Sequence, residues 1–313
     1  MTQTVFIDGE AGTTGLQIRA RLEPRRDIAL LAIDPAKRKD ADARRAMLNG
    51  ADAVILCLPD DAAREAVSLI ENRDVRVIDA STAHRVAEGW TYGFAEMSRT
   101  QRAAIAGAKR VSNPGCYPTG FIALMRPLIE AGIAPRERAI SVNAVSGYTG
   151  GGKAMIAEFE DAGGATYTQA PYRIYGLTQA HKHVPEMTWH AGLAHAPVFA
   201  PSVGRYAQGM IVEVPLALWD LPARPKLREV HEALRAAYAG ERFVEVVALA
   251  ESAKLKTLDP EGLNGTNRMQ IFVFGHDEEA RCVALLDNLG KGASGAAVQN
   301  MNLMLGLDEG AGL

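Results

Sequence analysis

Cysteine is scarce, and its three copies stand apart. Cys57, Cys116 and Cys282, in a chain of 313 residues, are too widely spaced for a disulfide framework, and no His, Cys or carboxylate cluster has zinc-ligand spacing. No metal site is expected. Neither sign of charge dominates: 34 Lys and Arg against 37 Asp and Glu leave a net charge of −3, which offers no basic surface to nucleic acid or to an anionic membrane. No stretch approaches the roughly 20 apolar residues that span a bilayer. The N-terminus enters a strand at once, without the segments of a secretory signal, and no internal repeat or low-complexity tract is evident. These absences predict a soluble, cytoplasmic protein of a reducing compartment, whose partner is a small molecule. With 48% hydrophobic and 23% charged residues the composition is that of an ordinary globular chain, long enough for two domains with cores of their own.

What is present is organised around Asn113-Pro114-Gly115-Cys116-Tyr117-Pro118-Thr119. Asn-Pro and Pro-Gly are turn dipeptides, and apolar residues at helical spacing follow as far as Gly132. Cys116 is therefore expected in the first turn of a helix, where free N–H groups and the positive dipole end favour a thiolate. Such a thiolate attacks carbonyl carbon, and the same N–H groups are placed to stabilise the oxyanion. A small buried residue in a tight turn is the plainer alternative. Two prolines and a glycine fix a loop shape that an inert core cysteine does not need, so Cys116 reads as a nucleophile. Cys57 and Cys282 lie in apolar strand-like runs and read as inert.

Ahead of that loop the chain alternates strand and helix. An apolar strand at 4–8 runs into Gly9-Glu10-Ala11-Gly12-Thr13-Thr14-Gly15 and then a helix. This is the context in which a glycine pattern signifies dinucleotide binding, because glycine lets the backbone approach a pyrophosphate and the helix start supplies N–H groups. A second strand ends at Asp34, where an acidic residue often holds ribose hydroxyls, as in NAD binding. Lys37-Arg38-Lys39 follows directly, and Arg38 and Lys39 would suit the additional 2′-phosphate of NADP. Further strands at 53–58, 75–79 and 109–112, with helices at 60–70 and 99–106, predict a doubly wound parallel sheet.

From about residue 134 the texture changes. Apolar or alternating runs at 139–146, 210–218, 268–274 and 281–286 predict a mixed or antiparallel sheet, covered by helices at 153–160 and 226–238. The last apolar helix, 293–305, is expected to return to the first domain. The fold class is thus α/β, a Rossmann-type sheet plus an α+β domain with a mixed sheet, divided as 1–115 (completed by a C-terminal helix at about 290–313) and 116–289. In the second part His181-Lys182-His183 is the one tight histidine pair. Read as an extended segment, it turns both rings to one side. Imidazole has a pKa suited to taking the thiol's proton, standing beside the thiolate as imidazolium, and protonating the oxyanion. Ser146-Gly147-Tyr148-Thr149-Gly150-Gly151-Gly152-Lys153 is a glycine-rich loop that fails the P-loop pattern but offers N–H groups and a cation to a phosphate or carboxylate. Lys153, Arg173, Lys182 and Arg205 are the candidate cations for such groups. Asn288, in Asn288-Leu289-Gly290-Lys291-Gly292, is a candidate for the nicotinamide carboxamide.

Taken together, the Gly9–Gly15 loop, Leu58-Pro59-Asp60-Asp61, the run from Ile78 to Arg85, the Cys116 loop, the Ser146–Lys153 loop, Tyr175-Gly176-Leu177 through His-x-His-x-Pro-Glu, and Asn288–Gly295 resemble N-acetyl-γ-glutamyl-phosphate reductase of the shorter type, an arginine-pathway family, over essentially the whole chain. The resemblance implies an NADP(H)-dependent reductase of an acyl phosphate and usually a homotetramer, with a dimer as the smaller alternative. It implies Cys116 as nucleophile and His181 as acid and base, with His183 and Asn113 beside them. The cofactor would meet Gly9, Gly12, Thr13, Thr14, Gly15, Arg38, Lys39, Ser81 and Asn288, and the substrate Ser146, Gly150, Lys153, Arg173 and Arg205. The same chemistry on aspartyl phosphate or the amino-adipyl analogue, or a non-catalytic redox-sensing nucleotide-binding module, are the rival readings.

Overall fold

The computed structural model describes residues 2–38 and 40–313. They form two compact units: 1–95, 99–115 and 293–313 make the first, and 96–98 with 116–292 the second. The first contains, in chain order, β1 (Gln3–Asp8), α1 (Thr13–Leu22), β2 (Ile28–Leu31), α2 (Ala41–Gly50), β3 (Ala53–Leu56), α3 (Asp60–Ser68), β4 (Arg76–Asp79), β5 (Thr91–Tyr92), α4 (Gln101–Gly107), β6 (Arg110–Ser112) and the C-terminal helix Gly295–Leu305. Its sheet is wholly parallel, in the order β2-β1-β3-β4-β6-β5. The central strands are continuous apolar runs because helices cover both faces. Val5, Ile7, Ile55 and Ile78 pack on one side with Ile18 and Leu22 of α1 and with Ala297, Val298 and Met301 of the C-terminal helix. Phe6, Val54, Leu56 and Val77 pack on the other with Leu48 of α2 and Ala63 and Ala66 of α3.

Strand order reverses between β1 and β3, and this switch point is where open α/β sheets bind ligands. The chain makes its first strand-to-helix turn there. Gly9 has φ +89°, and a Cβ on it would stand 2.3 Å from the Cys57 carbonyl oxygen. Only glycine permits that approach. Helix α2 and strand β5 go beyond the elements read from the sequence.

In the second unit the chain runs α5 (Cys116–Glu130), β7 (Ser141–Gly147), α6 (Gly152–Glu160), β8 (Tyr172–Ile174), α7 (Val184–Ala191), β9 (Val198–Gly204), β10 (Met210–Ala217), α8 (Leu227–Ala237), β11 (Val244–Val246), α9 (Leu249–Ser252), β12 (Met269–His276) and β13 (Glu279–Leu286). Its seven strands are mixed, in the order β11-β12-β13-β10-β7-β9-β8. Helix α5 is buried nearly all round, and Phe121, Ile122, Leu124, Met125 and Leu128 are fully covered. It packs on β10 and β13 and on α7 and α8. Gly120 brings it down onto the sheet, since a Cβ there would lie 2.8 Å from Val212. The first residue of this deeply anchored helix is Cys116.

Candidate active site

In the first unit, α1 begins after Gly12 with no side-chain cap. The N–H groups of Thr13, Thr14 and Gly15 thus have no intrahelical acceptor and form the positive end of the helix. Gly15 is as tight as Gly9: a Cβ on it would meet the Gly9 carbonyl oxygen at 2.6 Å. Beside the loop is a cavity of about 140 Å³ lined by Gly9, Glu10, Ala11, Ile33, Arg38 and Leu58. Arg38 donates to Glu10 Oε1 at 3.0 Å, while Arg19 holds the other oxygen at 2.6 Å. Glu10 therefore fixes Arg38 on the cavity rim. Lys39 lies outside the described residues. Asp34 accepts the Ala36 N–H at 2.9 Å and so caps the short turn Pro35–Lys37.

At the end of β4, buried Asp79 accepts from Ser81 N–H at 2.9 Å, from Ser81 Oγ at 2.7 Å and pairs with His84 Nδ1 at 2.6 Å. Ser81 is thereby held by a carboxylate. Asn113 is 1% exposed. Its amide donates to the Ala293 carbonyl at 2.9 Å and its oxygen accepts from Asn300 at 3.1 Å, so within this unit it ties the segment before the cysteine to the C-terminal helix.

In the second unit Cys116 opens α5, and Pro118 contributes no N–H. The first-turn donors are those of Cys116 and Tyr117. Tyr175 Oη donates to Tyr117 Oη at 2.8 Å, and Tyr117 donates to the Ser202 carbonyl at 3.1 Å. Burial first of all, and with it the charge of Cys116, pushes both phenols above their ordinary range. The cysteine is within electrostatic reach of both hydroxyls. The His181 ring lies 5.8 Å from Tyr175 and 6.3 Å from Tyr117, with Phe199 at 5.1 Å. Sequence reasoning missed Tyr117, Tyr175 and Phe199 as site residues. Tyr117 and Tyr175 stand inside stretches already singled out, but no spacing rule separates a phenol facing a thiol from one in the core.

The histidine pair is brought together by a turn, which corrects the expected extended segment. His183 caps α7 in a helical conformation, and Pro185 sits in that helix's first turn. The two rings are 4.8 Å apart. His183 N–H donates to His181 Nδ1 at 3.1 Å, so the neutral His181 ring carries its proton on Nε2 and presents a donor there. Burial, and secondarily the neighbouring Lys182 charge, lowers its pKa from 6.5 to about 4. At neutral pH the ring is uncharged, and the imidazolium expected from the sequence is not its resting form.

A stability consequence follows from linkage. The unfolded ring takes up its proton near pH 6.5 and the folded one only near pH 4, so the unfolded state binds more protons between these values. The contribution of the neutral ring is complete above pH 6.5 and is lost as the pH falls to about 4. The thermal midpoint should decline over this window, and less steeply in His181→Asn. Parallel declines in the two proteins would refute the shift.

The remaining candidates are placed as follows. Ser146 is buried and hydrogen-bonds the Tyr117 hydroxyl. Gly150 lies against Ser146 and Asn288: a Cβ there would be 3.3 Å from the Asn288 amide nitrogen. Asn288 accepts the Gly209 N–H at 2.7 Å and donates to Thr149 Oγ1 at 3.3 Å, which fixes the glycine-rich loop from within this unit. Arg173 pairs with Glu158 at 2.7 Å over the Phe159 ring, and Arg205 donates to Thr168 and Phe159 carbonyls and to Tyr167. Both guanidinium groups hold loops together. Lys153 is exposed on α6. Burial pushes the Cys57 and Cys282 thiols up to about 12, Cys57 with help from Asp79 and Asp8; neither is a nucleophile at neutral pH. Among the described residues no group of three or more His, Cys, Asp or Glu could hold a metal ion, and no helix is long and apolar enough to cross a membrane.

Two family models match the chain. Residues 6–105 match the semialdehyde dehydrogenase NAD binding domain, and 116–288 the semialdehyde dehydrogenase dimerisation domain. A protein named N-acetyl-γ-glutamyl-phosphate reductase from Sinorhizobium medicae is 59% identical over 97% of this chain and 99% of its own. N-acetyl-γ-glutamyl-phosphate reductase 2 from a Nostoc species is 56% identical over 99% and 98%, and the Brucella ovis reductase is 57% identical over 98% and 100%. Among solved structures, aspartate semialdehyde dehydrogenase II from Vibrio cholerae, complexed with ASA, superposes with a TM-score of 0.72 at 16% identity, covering 97% of this chain and 98% of that one. The Candida albicans aspartate semialdehyde dehydrogenase with NADP gives 0.65 at 13% identity, over 97% and 99%. At such identities the likeness is one of fold.

Proposed function

The chain belongs to the N-acetyl-γ-glutamyl-phosphate reductase family, and from that premise we propose that it reduces N-acetyl-L-glutamyl 5-phosphate to the 5-semialdehyde, releasing phosphate, in arginine biosynthesis. The observation that carries the reading is identity of 56–59% to named reductases over nearly the full length. The Cys116 thiolate attacks the acyl carbon and the carbon–oxygen bond to phosphate breaks, which leaves a thioester. NADPH, when bound, supplies the hydride that this carbon accepts. The resulting thiohemiacetal oxyanion collapses, the carbon–sulfur bond breaks, and aldehyde leaves with the thiolate restored. A thioester takes hydride far more readily than a carboxylate, so one hard step becomes two easier ones.

First-turn N–H groups of α5 and the Nε2–H of neutral His181 suit the oxyanion that forms in each half. A ring with a pKa near 4 is a weak base at neutral pH, so its proposed service is hydrogen-bond donation to the oxyanion rather than proton abstraction. His183 sets its tautomer through the backbone N–H. Gly9, Gly12 and Gly15 with the N–H groups of Thr13 and Thr14 fit a pyrophosphate, and Ser81 stands in the loop after β4, two strands along the sheet. Arg38 and Lys39 would hold the 2′-phosphate that selects NADP(H). Lys153 is the proposed cation for substrate, since Arg173 and Arg205 already serve the protein's own loops. A homo-oligomer, tetramer or dimer, is proposed from the dimerisation-domain match, and a cytoplasmic site from the biosynthetic role.

Oxidation of NADPH dependent on the acyl phosphate tests the reading. A chain that binds NADPH but never oxidises it with any acyl phosphate is the redox-sensing module. Faster turnover of aspartyl or amino-adipyl phosphate moves the substrate assignment. For the cofactor, Arg38→Ala with Lys39→Ala should weaken NADPH selectively and spare NADH. Each charge-assisted phosphate contact contributes roughly 1.5–3 kcal/mol, so the preference should fall about ten-fold or more. Equal losses for both cofactors would return the choice to Asp34 and NAD.

A further inference from the structure

The chain from Asp287 to Gly292 is built more rigidly than a connector requires. Asp287 is fully buried. One carboxylate oxygen accepts the Leu289 N–H at 2.9 Å, and the other accepts the Gly265 N–H at 2.7 Å and the Gln208 amide. Its carbonyl accepts the Gly292 N–H at 2.9 Å. Gly290 opens a π-helical turn, Gly290–Ser294, a rare conformation that recurs at functional sites. A Cβ on Gly290 would stand 2.1 Å from the Thr266 carbonyl oxygen. Between the two glycines Lys291 is 1% exposed, and its ammonium meets both oxygens of the wholly buried Glu96 at 2.8 and 2.7 Å. Gly292 then presses on the cysteine: a Cβ on it would lie 2.7 Å from Cys116 Cβ and 3.2 Å from Cys116 Cα.

A buried ion pair of this kind is a poor source of stability, because taking both charges out of water offsets most of their attraction, and apolar residues of similar size commonly serve as well or better. Its presence at this point of the chain suits a positional role better than a stabilising one. We infer that the Glu96–Lys291 pair and Gly292 form a positioning element for Cys116, a ledge that fixes the cysteine's Cα and Cβ and leaves its sulfur only rotation about the Cα–Cβ bond. The ion pair sets where the backbone of residue 292 lies, and the missing side chain at 292 lets α5 begin against it. Neither Lys291 nor Gly292 takes part in the bond changes. Both act through Cys116, and the inference rests on the proposed role of that residue as the nucleophile.

The test reads the thiol directly. Iodoacetamide alkylation is followed by mass on Cys116 from pH 6 to 9 in three proteins: wild type, Gly292→Ala, and Glu96→Leu with Lys291→Met. Cys57 and Cys282, with thiols near 12, stay silent. Misplacement by a fraction of an ångström is expected to slow alkylation by about ten-fold or more and to lower kcat in parallel, with KM within about two-fold. The double variant keeps the glycine at 292 and replaces the charges by apolar groups, so it should fold and still show the slower thiol. Folded variants that alkylate within about two-fold of wild type overturn the inference. Hydrogen exchange in the unaltered protein supplies an arm that needs no variant: Leu289 and Gly292 amides should be as protected as those of β13, and exchange through local opening would overturn the ledge. Because alkylation needs no acyl phosphate, its outcome is independent of the nucleophile assignment. That assignment fails separately, if Cys116→Ala retains turnover.

Discussion

Replacing Cys116 by Ala should lower acyl-phosphate reduction by about 10⁴-fold or more, the order seen when a covalent nucleophile is removed, and leave NADPH binding within a few-fold. The expectation comes from the position of the residue. It opens a helix anchored by Phe121, Leu124 and Leu128, with first-turn N–H groups beside the sulfur and two tyrosines within reach of its charge. The residues proposed for the dinucleotide are carried by other segments of the chain, so the substitution is expected to leave them undisturbed. A second measurement looks for the intermediate itself. Incubating the unaltered protein with acyl phosphate and no cofactor should add the mass of the acyl group to the Cys116 peptide and to no other. Residual turnover above a few per cent of wild type in Cys116→Ala would dispose of the covalent route.

His181→Asn should be the next most damaging change, with a loss in kcat of about 10²–10³, the range for removing one oxyanion donor. His183→Asn is the control. Its ring is buried beside His181, but its backbone sets the His181 tautomer and its position caps α7, and asparagine is itself a good helix cap. Its effect should fall on stability and KM more than on kcat. The pH profile gives an independent reading. With His181 titrating near 4, kcat/KM should carry no limb from this ring near pH 6.5, where an ordinary histidine would place one. Alkylation of Cys116 should change little in His181→Asn, since the resting ring is neutral. A greater loss of kcat at His183, or a steep limb near pH 6.5 that vanishes in His181→Asn, would reverse the roles of the two histidines.

The nucleotide-binding architecture was legible because its strands are covered on both faces, and such strands read as unbroken apolar runs wherever they occur. Helix α2 escaped notice for the opposite reason: only Arg44 and Leu48 of its ten residues are buried, which leaves almost no periodic signal. Strand β8 is three residues long and leaves its apolar Tyr172 and Ile174 exposed, too short an alternation to announce a strand. The histidine pair shows a different failure. Pro185 near the start and Gly192 after the end are helix signals, and they outweigh the period-2 alternation of His-x-His: the two rings come together through a turn, 4.8 Å apart. Arg173 and Arg205 could not be ranked from sequence because their partners, a glutamate fifteen positions away and backbone carbonyls nearly forty away, leave no mark in the spacing of the arginines themselves. The thiol's helix start was readable from Pro-Gly-Cys; the ledge beneath it was not, since its glycines look like ordinary loop glycines until Thr266 and Cys116 are seen against them.

The first unit is also discontinuous in a way that bears on how the protein is made. Its core is closed by Ala297, Val298, Met301 and Met304, and its last residues are tied back by Arg25 to Asn302 at 2.6 Å and by Arg102 to Glu309 at 3.0 Å. A chain emerging from the ribosome N-terminus first therefore presents every strand of the parallel sheet, and α1 to α4 with them, long before the helix that seals one face exists. The part of that face covered by Ala297, Val298, Met301 and Met304 therefore stays open through the synthesis of the whole intervening segment, until residues 293–313 arrive.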